Sequence, residues 1–389
     1  MKTLLFVADA GSGHRATAKG LVQCAPEHMR QGISLVNPYK EIFSPSSPHL
    51  KRRKFSLSDI VISITGIMGE RIYNTTLSNL KFLGPLHRIL GPLSVYILDK
   101  NTTRINAIFL DYLSHEKPDL VISVIPIFND ILGQQTSALG IPFLVVMSDL
   151  KEIYADTWIP HKADYFCTFG RSAYKISQKR DIKKPFLLSG PVLRTPFFHQ
   201  HPIHSKRLAA KLKLHSDKAT IVVFFGGYGS PKMYNIAKCL ENASRPIQVL
   251  FLCGHSSHIQ RKIDKMELSY PKLTFGFIKH VDRIMELSSI MIGKPGPGAA
   301  LEAIAKGNDV LLELNKTTLP QEVPNVEFVE SLGRGEHYAN HDDLLPKLNR
   351  MLENWSPDQK RRASPFRSDL EIKSILKQIS QDIEQRNPD

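Results

Sequence analysis

Residues 290–307 read Ile-Met-Ile-Gly-Lys-Pro-Gly-Pro-Gly-Ala-Ala-Leu-Glu-Ala-Ile-Ala-Lys-Gly. The apolar run predicts a strand, residues 293–298 a tight loop, and residues 299–305 a short helix stopped by Gly307, with Val310-Leu311-Leu312 opening the next strand. A loop built from Gly296, Pro297, Gly298 and Ala299 brings backbone N–H groups close to an anion, and the helix behind it supplies positive dipole. Glu302, about one turn into the helix, is within reach of a sugar's hydroxyls. A phosphate beside a ribose means a nucleotide. The loop lacks the Gly-Lys-Ser/Thr ending of the hydrolase P-loop. A βα turn that needs glycine only for its geometry would read the same way, so the rest of the chain has to decide.

A second glycine turn, Asp9-Ala-Gly11-Ser12-Gly13-His14-Arg15, follows the strand candidate at residues 4–8 and precedes a helix at 16–24 and a strand at 33–36. That order is a βαβ unit and implies a parallel sheet. Gly11-x-Gly13-x-x-Ala16 fits the loose dinucleotide fingerprint, which wants an acid about 20 residues on. Asn37-Pro38 stands there instead, which weakens a dehydrogenase reading.

Further strands are predicted at 119–124, 143–147, 165–168 and 186–188. A Pro-rich crossing, Ser189-Gly-Pro-Val-Leu-Arg-Thr-Pro196, has the character of a hinge. Beyond it the pattern restarts. Residues 221–225 lead into Gly226-Gly227-Tyr228-Gly229, 248–252 into Cys253-Gly-His255, and 273–275 into Gly276-Phe277. The expected fold is α/β, with two Rossmann-like domains facing each other across a cleft and ligands beyond the carboxyl ends of the strands. The domains are residues 1–193 and 194–365. From 366 to 389, Leu370, Ile372, Ile375, Leu376 and Ile379 lie at helical spacing, which predicts a helix packing back on the body.

A length of 389 residues accommodates two such cores. Lys+Arg 51 against Asp+Glu 37 gives +14, so anionic partners are favoured. No helix-turn-helix, aromatic RNA-binding signature or zinc pattern occurs, which argues against nucleic acid. The four cysteines form no Cys-x-x-Cys pair and read as buried thiols in a reducing cytosol. No apolar run approaches the ~18 residues that span a bilayer. Residues 40–105 are irregular, with the basic run at 51–54 beside apolar stretches at 60–68 and 80–90. That composition suits an interfacial membrane segment, and equally a helical insertion packed on its own domain.

Together these motifs resemble the MurG-like (GT28) glycosyltransferases, above all monogalactosyldiacylglycerol synthases and bacterial diacylglycerol glucosyltransferases. The resemblance runs through residues 9–18, 117–124, Asp149 with Thr157-Trp158, Gly226-Gly227, Cys253-Gly254, Gly276-Phe277, 294–299, Glu302, and Gln321-Glu322 with Asn325. Ser12, Leu319-Pro320 and Gly293-Lys294-Pro295 depart from the family pattern. The resemblance implies the GT-B arrangement and inverting, metal-independent transfer of a hexose from UDP-glucose or UDP-galactose to a lipid such as diacylglycerol. It implies work at the cytoplasmic face of an anionic membrane, with no cofactor beyond the UDP-sugar co-substrate. A soluble acceptor, UDP-sugar epimerisation, or a non-catalytic nucleotide- or lipid-binding role are the alternatives.

On this reading the loop at 296–299 stabilises the leaving diphosphate without a metal. Glu302 holds the ribose, and backbone at Gly276 and Phe277 meets the uracil. Gln321 and Glu322 bind sugar hydroxyls with Asn325 closing the set, while Gly226, Gly227 and Gly229 permit close approach. Gly11, Ser12, Gly13 and Arg15 form an acceptor-side loop. His14 is the candidate base, since a helix N-terminus disfavours the charged imidazole. It could equally serve as a cap. Asp149 either orients His14 or the acceptor hydroxyl, or caps the next helix. His255 and Trp158 read as structural.

Overall fold

The computed structural model describes residues 1–9, 13–44, 101–151, 157–357 and 362–386. Gly11, Ser12 and most of the 40–105 stretch, including the basic run, lie outside the described residues. The chain divides into two compact units. One comprises the described residues before Thr195 together with those from Arg367 onward, and the other is Thr195–Phe366.

In the first unit the strands are β1 (Thr3–Phe6), β2 (Ile33–Val36), β3 (Leu120–Ser123), β4 (Phe143–Val146), β5 (Lys162–Thr168) and β6 (Asp181–Leu187). The helices are α1 (Gly13–Cys24), α2 (Glu27–Arg30), α3 (Thr102–Glu116), α4 (Asn129–Ala138) and α5 (Arg171–Ser177). All strands pair in parallel in the order β2-β1-β3-β4-β5-β6. Parallel strands covered on both faces need continuous apolar runs, and Leu120-Val-Ile-Ser and Phe143-Leu-Val-Val are buried throughout.

The second unit carries α6 (Pro202–Lys211), β7 (Ala219–Phe224), α7 (Lys232–Cys239), β8 (Ile247–Gly254), α8 (Ser257–Asp264), β9 (Lys272–Gly276), α9 (Val281–Met285), β10 (Ile290–Gly293), α10 (Pro297–Ala305), β11 (Asp309–Glu313), α11 (Val323–Ser331), β12 (Gly335–Tyr338) and α12 (His341–Glu353). Its sheet is β12-β11-β10-β7-β8-β9, again parallel. Counted within the unit this is the Rossmann strand order, whose direction reverses between its first and fourth strands, here β7 and β10. The four cysteines are free, three of them buried, and burial pushes the Cys24 thiol up to about 11 and that of Cys253 to about 12.

The last helix, α13 (Ser368–Arg386), returns to the first unit. Ile372, Ile375, Leu376, Ile379 and Ile383 form its buried stripe. Leu370 does not join them. It is 63% exposed, because two residues before Ile372 on a helix is about 200° round the axis. The helix is tied down by Tyr165 Oη and Lys184 Nζ, which donate to Asp382 Oδ2 at 2.6 and 2.8 Å, and by Ser368 Oγ, which donates to the Pro191 carbonyl at 2.6 Å.

In the second unit a buried ion pair fixes the segment leading into α6. Lys306 Nζ lies 2.8 Å from Glu286 Oε2, with both side chains out of solvent. The ammonium also donates to the His199 carbonyl, and Glu286 Oε1 accepts from the His201 backbone N–H at 2.5 Å. Burial acts to raise the Glu286 carboxyl, but the Lys306 ammonium and the His201 N–H outweigh it and hold it below its usual range. Removing one partner of such a pair leaves the other charged and alone in the interior. Lys306→Met should therefore lower unfolding stability by about 3–5 kcal/mol, read as a shift in urea midpoint.

Candidate functional site

A parallel sheet sends the loop after every strand to the same edge, and at a switch point the two neighbouring loops diverge and leave a crevice. In the second unit those are the loops after β7 and β10. Gly226 (φ 87°) and Gly229 (φ 65°) let the first turn back on itself in the left-handed region. The second is Lys294-Pro295-Gly296, because α10 begins at Pro297 and not at Ala299. Proline at the first helical position sacrifices no hydrogen bond, so Gly298 falls inside the helix. A Cβ at Gly298 or at Gly227 would meet nothing within 4 Å, so both face open space.

Lysines cross this edge. Lys294 Nζ bonds Glu322 Oε1 at 2.9 Å, and its Cε sits 3.6 Å from where a Gly226 Cβ would be. Lys232 Nζ lies 2.5 Å from Glu313 Oε2 and donates to Thr317 Oγ1 at 3.0 Å. Neither lysine stood out in the sequence. A lysine at the end of a strand, directly before a glycine turn, is the signal that could have found Lys294. Asn325, fully buried on α11, donates through Nδ2 to the Pro295 carbonyl at 2.9 Å and so braces the loop from behind.

The carboxylate of Glu322 lies against the loop, 3.3 Å from a Cβ built on Gly296. Asn325 Oδ1 and Gln321 Oε1 are buried acceptors with no hydrogen-bond partner. Buried acceptors almost always have a donor, so these two are exceptions beside the loop. Glu302 is buried on α10.

Next to the switch point, three rings line up on successive loops. His255 stacks on Phe277 with centroids 4.2 Å apart at 14°, and Tyr228 tilts toward His255 at 5.9 Å. Phe277 is 57% exposed, so the stack presents an open aromatic face. His255 is an exposed ring. Its loop is locked by its backbone N–H donating to the Gly227 carbonyl at 2.8 Å. A cavity of about 670 Å³ lies elsewhere in this unit. It opens at the amino ends of the strands, lined by residues including Lys218, Thr220, Gln248, Asp309 and Trp355.

The first unit has its own switch point between β1 and β3. His14, second residue of α1, bonds the Val124 carbonyl through Nδ1 at 2.8 Å, and Ser148 Oγ is 3.5 Å from the same nitrogen. A carbonyl can only accept, so Nδ1 carries the proton and Nε2 the lone pair in the neutral ring. Asp149 Oδ2 accepts from Trp158 Nε1 at 2.9 Å, and the Trp158 ring lies 5.9 Å from that of His14. Trp158 is 3% exposed, as a structural residue should be.

Gly13 opens α1 with space around it. Arg15 pairs with Asp9, which also accepts from Lys40 and, at 3.3 Å, from Asn37 Nδ2. Asn37 caps the next turn through the Tyr39 N–H at 3.1 Å. The position where a dinucleotide fold would read a ribose is thereby spent on local structure.

Comparison with known proteins fits this geometry. Residues 220–379 match the glycosyltransferase family 28 C-terminal domain. The matched segment runs from β7 of the second unit into α13. The chain is accordingly a glycosyltransferase, and it resembles proteins over its whole length. It is 23% identical to the processive diacylglycerol beta-glucosyltransferase of Bacillus subtilis (strain 168), covering 98% of this chain and 94% of that protein. It is 22% identical to monogalactosyldiacylglycerol synthase 1, chloroplastic, of Arabidopsis thaliana, covering 96% and 67%. The crystal structure of Acinetobacter baumannii MurG aligns with a TM-score of 0.56 at 14% identity over 99% of both chains. The fold is GT-B, as the sequence predicts.

Two loops of the site can be probed directly. Gly254 (φ 59°) would place a Cβ 2.1 Å from the Gly227 carbonyl, whereas Gly140 (φ 68°) has open space around it. Gly254→Ala should cost at least about 2 kcal/mol and Gly140→Ala about 1 kcal/mol in chemical unfolding. In the first unit, Arg15 foremost, with Lys40, holds the Asp9 carboxyl down to about 2 against the opposing effect of burial. A carboxyl depressed by folding stabilises fully above its unfolded value of about 3.9, and that contribution disappears as pH falls through about 2. Asp9→Asn should be less stable than the parent at pH 7, and the gap in thermal midpoint should close between about pH 4 and pH 2.

Proposed function

We propose that the protein transfers a hexose from a UDP-sugar to the hydroxyl of a lipid acceptor of the diacylglycerol class, inverting the anomeric centre. The observation that carries this reading is the braced loop at the switch point of the family 28 domain. Gly298 faces open space at a helix N-terminus, Lys294 lies beside the loop, and two buried acceptors, Gln321 Oε1 and Asn325 Oδ1, have no partner among the described residues. The acceptor class is supported by the printed activities of the full-length relatives.

The leaving diphosphate would lie against the N–H groups at 296–299, whose dipoles are already oriented when charge develops. Lys294 adds positive charge there. Gly226, Gly227 and Gly229 allow the phosphates to approach backbone. Glu302 and the Gly276–Phe277 backbone would hold the ribose and uracil, and Gln321, Glu322 and Asn325 the sugar hydroxyls. The acceptor oxygen attacks the anomeric carbon while its proton passes to His14 Nε2. The bond from that carbon to the diphosphate oxygen breaks, and UDP leaves with the electron pair. The Val124 carbonyl holds the Nδ1–H tautomer and steadies the imidazolium that forms, an arrangement worth about 10²–10⁴-fold in rate. Asp149, held by Trp158, would orient the acceptor side. The enzyme would work at the cytoplasmic face of a membrane.

UDP release should be measured from UDP-glucose and UDP-galactose, with and without anionic liposomes containing diacylglycerol. Liposome-dependent release with a glycolipid product is expected. Release that ignores liposomes, or UDP binding without release from either donor, would replace the lipid acceptor with a soluble one or remove catalysis. His14→Ala should lose at least about 10²-fold in turnover while UDP affinity stays unchanged, and retained turnover would remove His14 as the base.

A further inference from the structure

Helix α6 is unlike the other helices of the second unit. None of its ten residues is buried. Its inward line, Ser205, Leu208, Ala209 and Leu212, is only half-covered, and its opposite line is fully in solvent. At 100° per residue that outer line is Ile203, Lys206, Arg207, Ala210 and Lys211, with His204 at its edge. Ile203 is 67% exposed, the most exposed large apolar side chain among the described residues. From Phe198 to Ser216 the chain contains no acidic residue. Among the described residues Lys206, Arg207, Lys211 and Lys213 have no ion-pair partner, whereas Lys294, Lys232 and Lys306 in the same unit are each matched to a glutamate.

A helix that buries nothing is normally set by chance contacts, but this one is anchored. The backbone of His199 and His201 is gripped by the buried Lys306–Glu286 pair, which fixes where the helix starts. We infer that α6 is a docking surface for an anionic lipid bilayer, with Lys206, Arg207 and Lys211 facing the headgroups and Ile203 entering the interface between them. Unmatched cations on one face give the charge complementarity, and an exposed isoleucine among them suits the headgroup–acyl boundary of a membrane. This inference deepens the lipid-acceptor reading by naming the surface that meets the membrane, and it can be tested without donor or acceptor.

The test is co-sedimentation of the full chain with phosphatidylglycerol/phosphatidylcholine vesicles at ~0.1 M salt, with pure phosphatidylcholine vesicles as reference. Lys206→Ala/Arg207→Ala/Lys211→Ala should lower the partition coefficient onto anionic vesicles by about a hundredfold, since three cations leave the surface. A matched variant on another exposed helix, Arg261→Ala/Lys262→Ala/Lys265→Ala, removes the same charge and should lose less than about tenfold. Ile203→Trp should show a blue shift in emission on anionic vesicles that the parent protein does not. Equal losses in the two triple variants would overturn the proposal, because net charge alone would then explain binding. So would no binding by the parent, an unshifted Ile203→Trp spectrum, or duplex DNA binding that depends on these cations while vesicle binding does not. Vesicles without diacylglycerol keep this outcome separate from turnover. Catalysis could fail with docking intact, and docking could fail with catalysis on a dispersed acceptor intact.

Discussion

Everything chemical in the second unit depends on how its sheet reverses direction between β7 and β10. The reversal parts two loops, and the residues around it are committed to keeping them in place. Lys294 reaches from the β10 loop to Glu322 at the entry to α11, and lies beside Gly226 on the β7 loop. Asn325 holds the Pro295 carbonyl from behind. The β8 loop is locked in turn, with Gly254 pressed on the Gly227 carbonyl and the His255 N–H bonded to it. Three loops from three strands are thus one rigid edge. Electrostatic stabilisation of a leaving diphosphate needs donors that do not reorganise as charge develops, and this edge is built that way.

The first unit uses the same device with different chemistry. Its switch point lies between β1 and β3, and a side chain again crosses it, here His14 Nδ1 to the Val124 carbonyl. The bond does more than hold the loop. It selects the tautomer, so the nitrogen with a lone pair is set by backbone and not by a titrating neighbour. Asp9, just after β1, gathers Arg15, Lys40 and Asn37. The tautomer and a fixed ring orientation then come from the fold itself.

The sheets were legible because buried parallel strands must be apolar without interruption. Residues 33–36 matched to the residue, and the runs beginning at 119, 143, 221 and 248 were each placed within two residues. Strand β12 was not legible. Gly335-Glu-His-Tyr338 is an edge strand, half in solvent, and three of its residues carry no apolar signal. The start of α10 was misread for a local reason, since Pro297 begins a helix where the sequence suggested a loop. Leu370 was misread because it sits near the right spacing but on the wrong side of α13.

The candidate site divides along a similar line. Glycines at 226 and 229 could be found because left-handed backbone there demands that residue type. The pairings of Lys294 and Lys232 could not, since each depends on a carboxylate far along the chain, 28 and 81 residues away. The stacking of Phe277 on His255 was not legible either, because nothing in Cys-Gly-His tells of a ring on the next loop. Helix α6 extends the argument to the surface. A basic run with little apolar content reads as solvated face, and only the buried Lys306–Glu286 pair shows that its position is held. An ion pair placed in the interior at the cost of desolvation, to fix a helix that buries nothing, is best understood through what that helix meets outside.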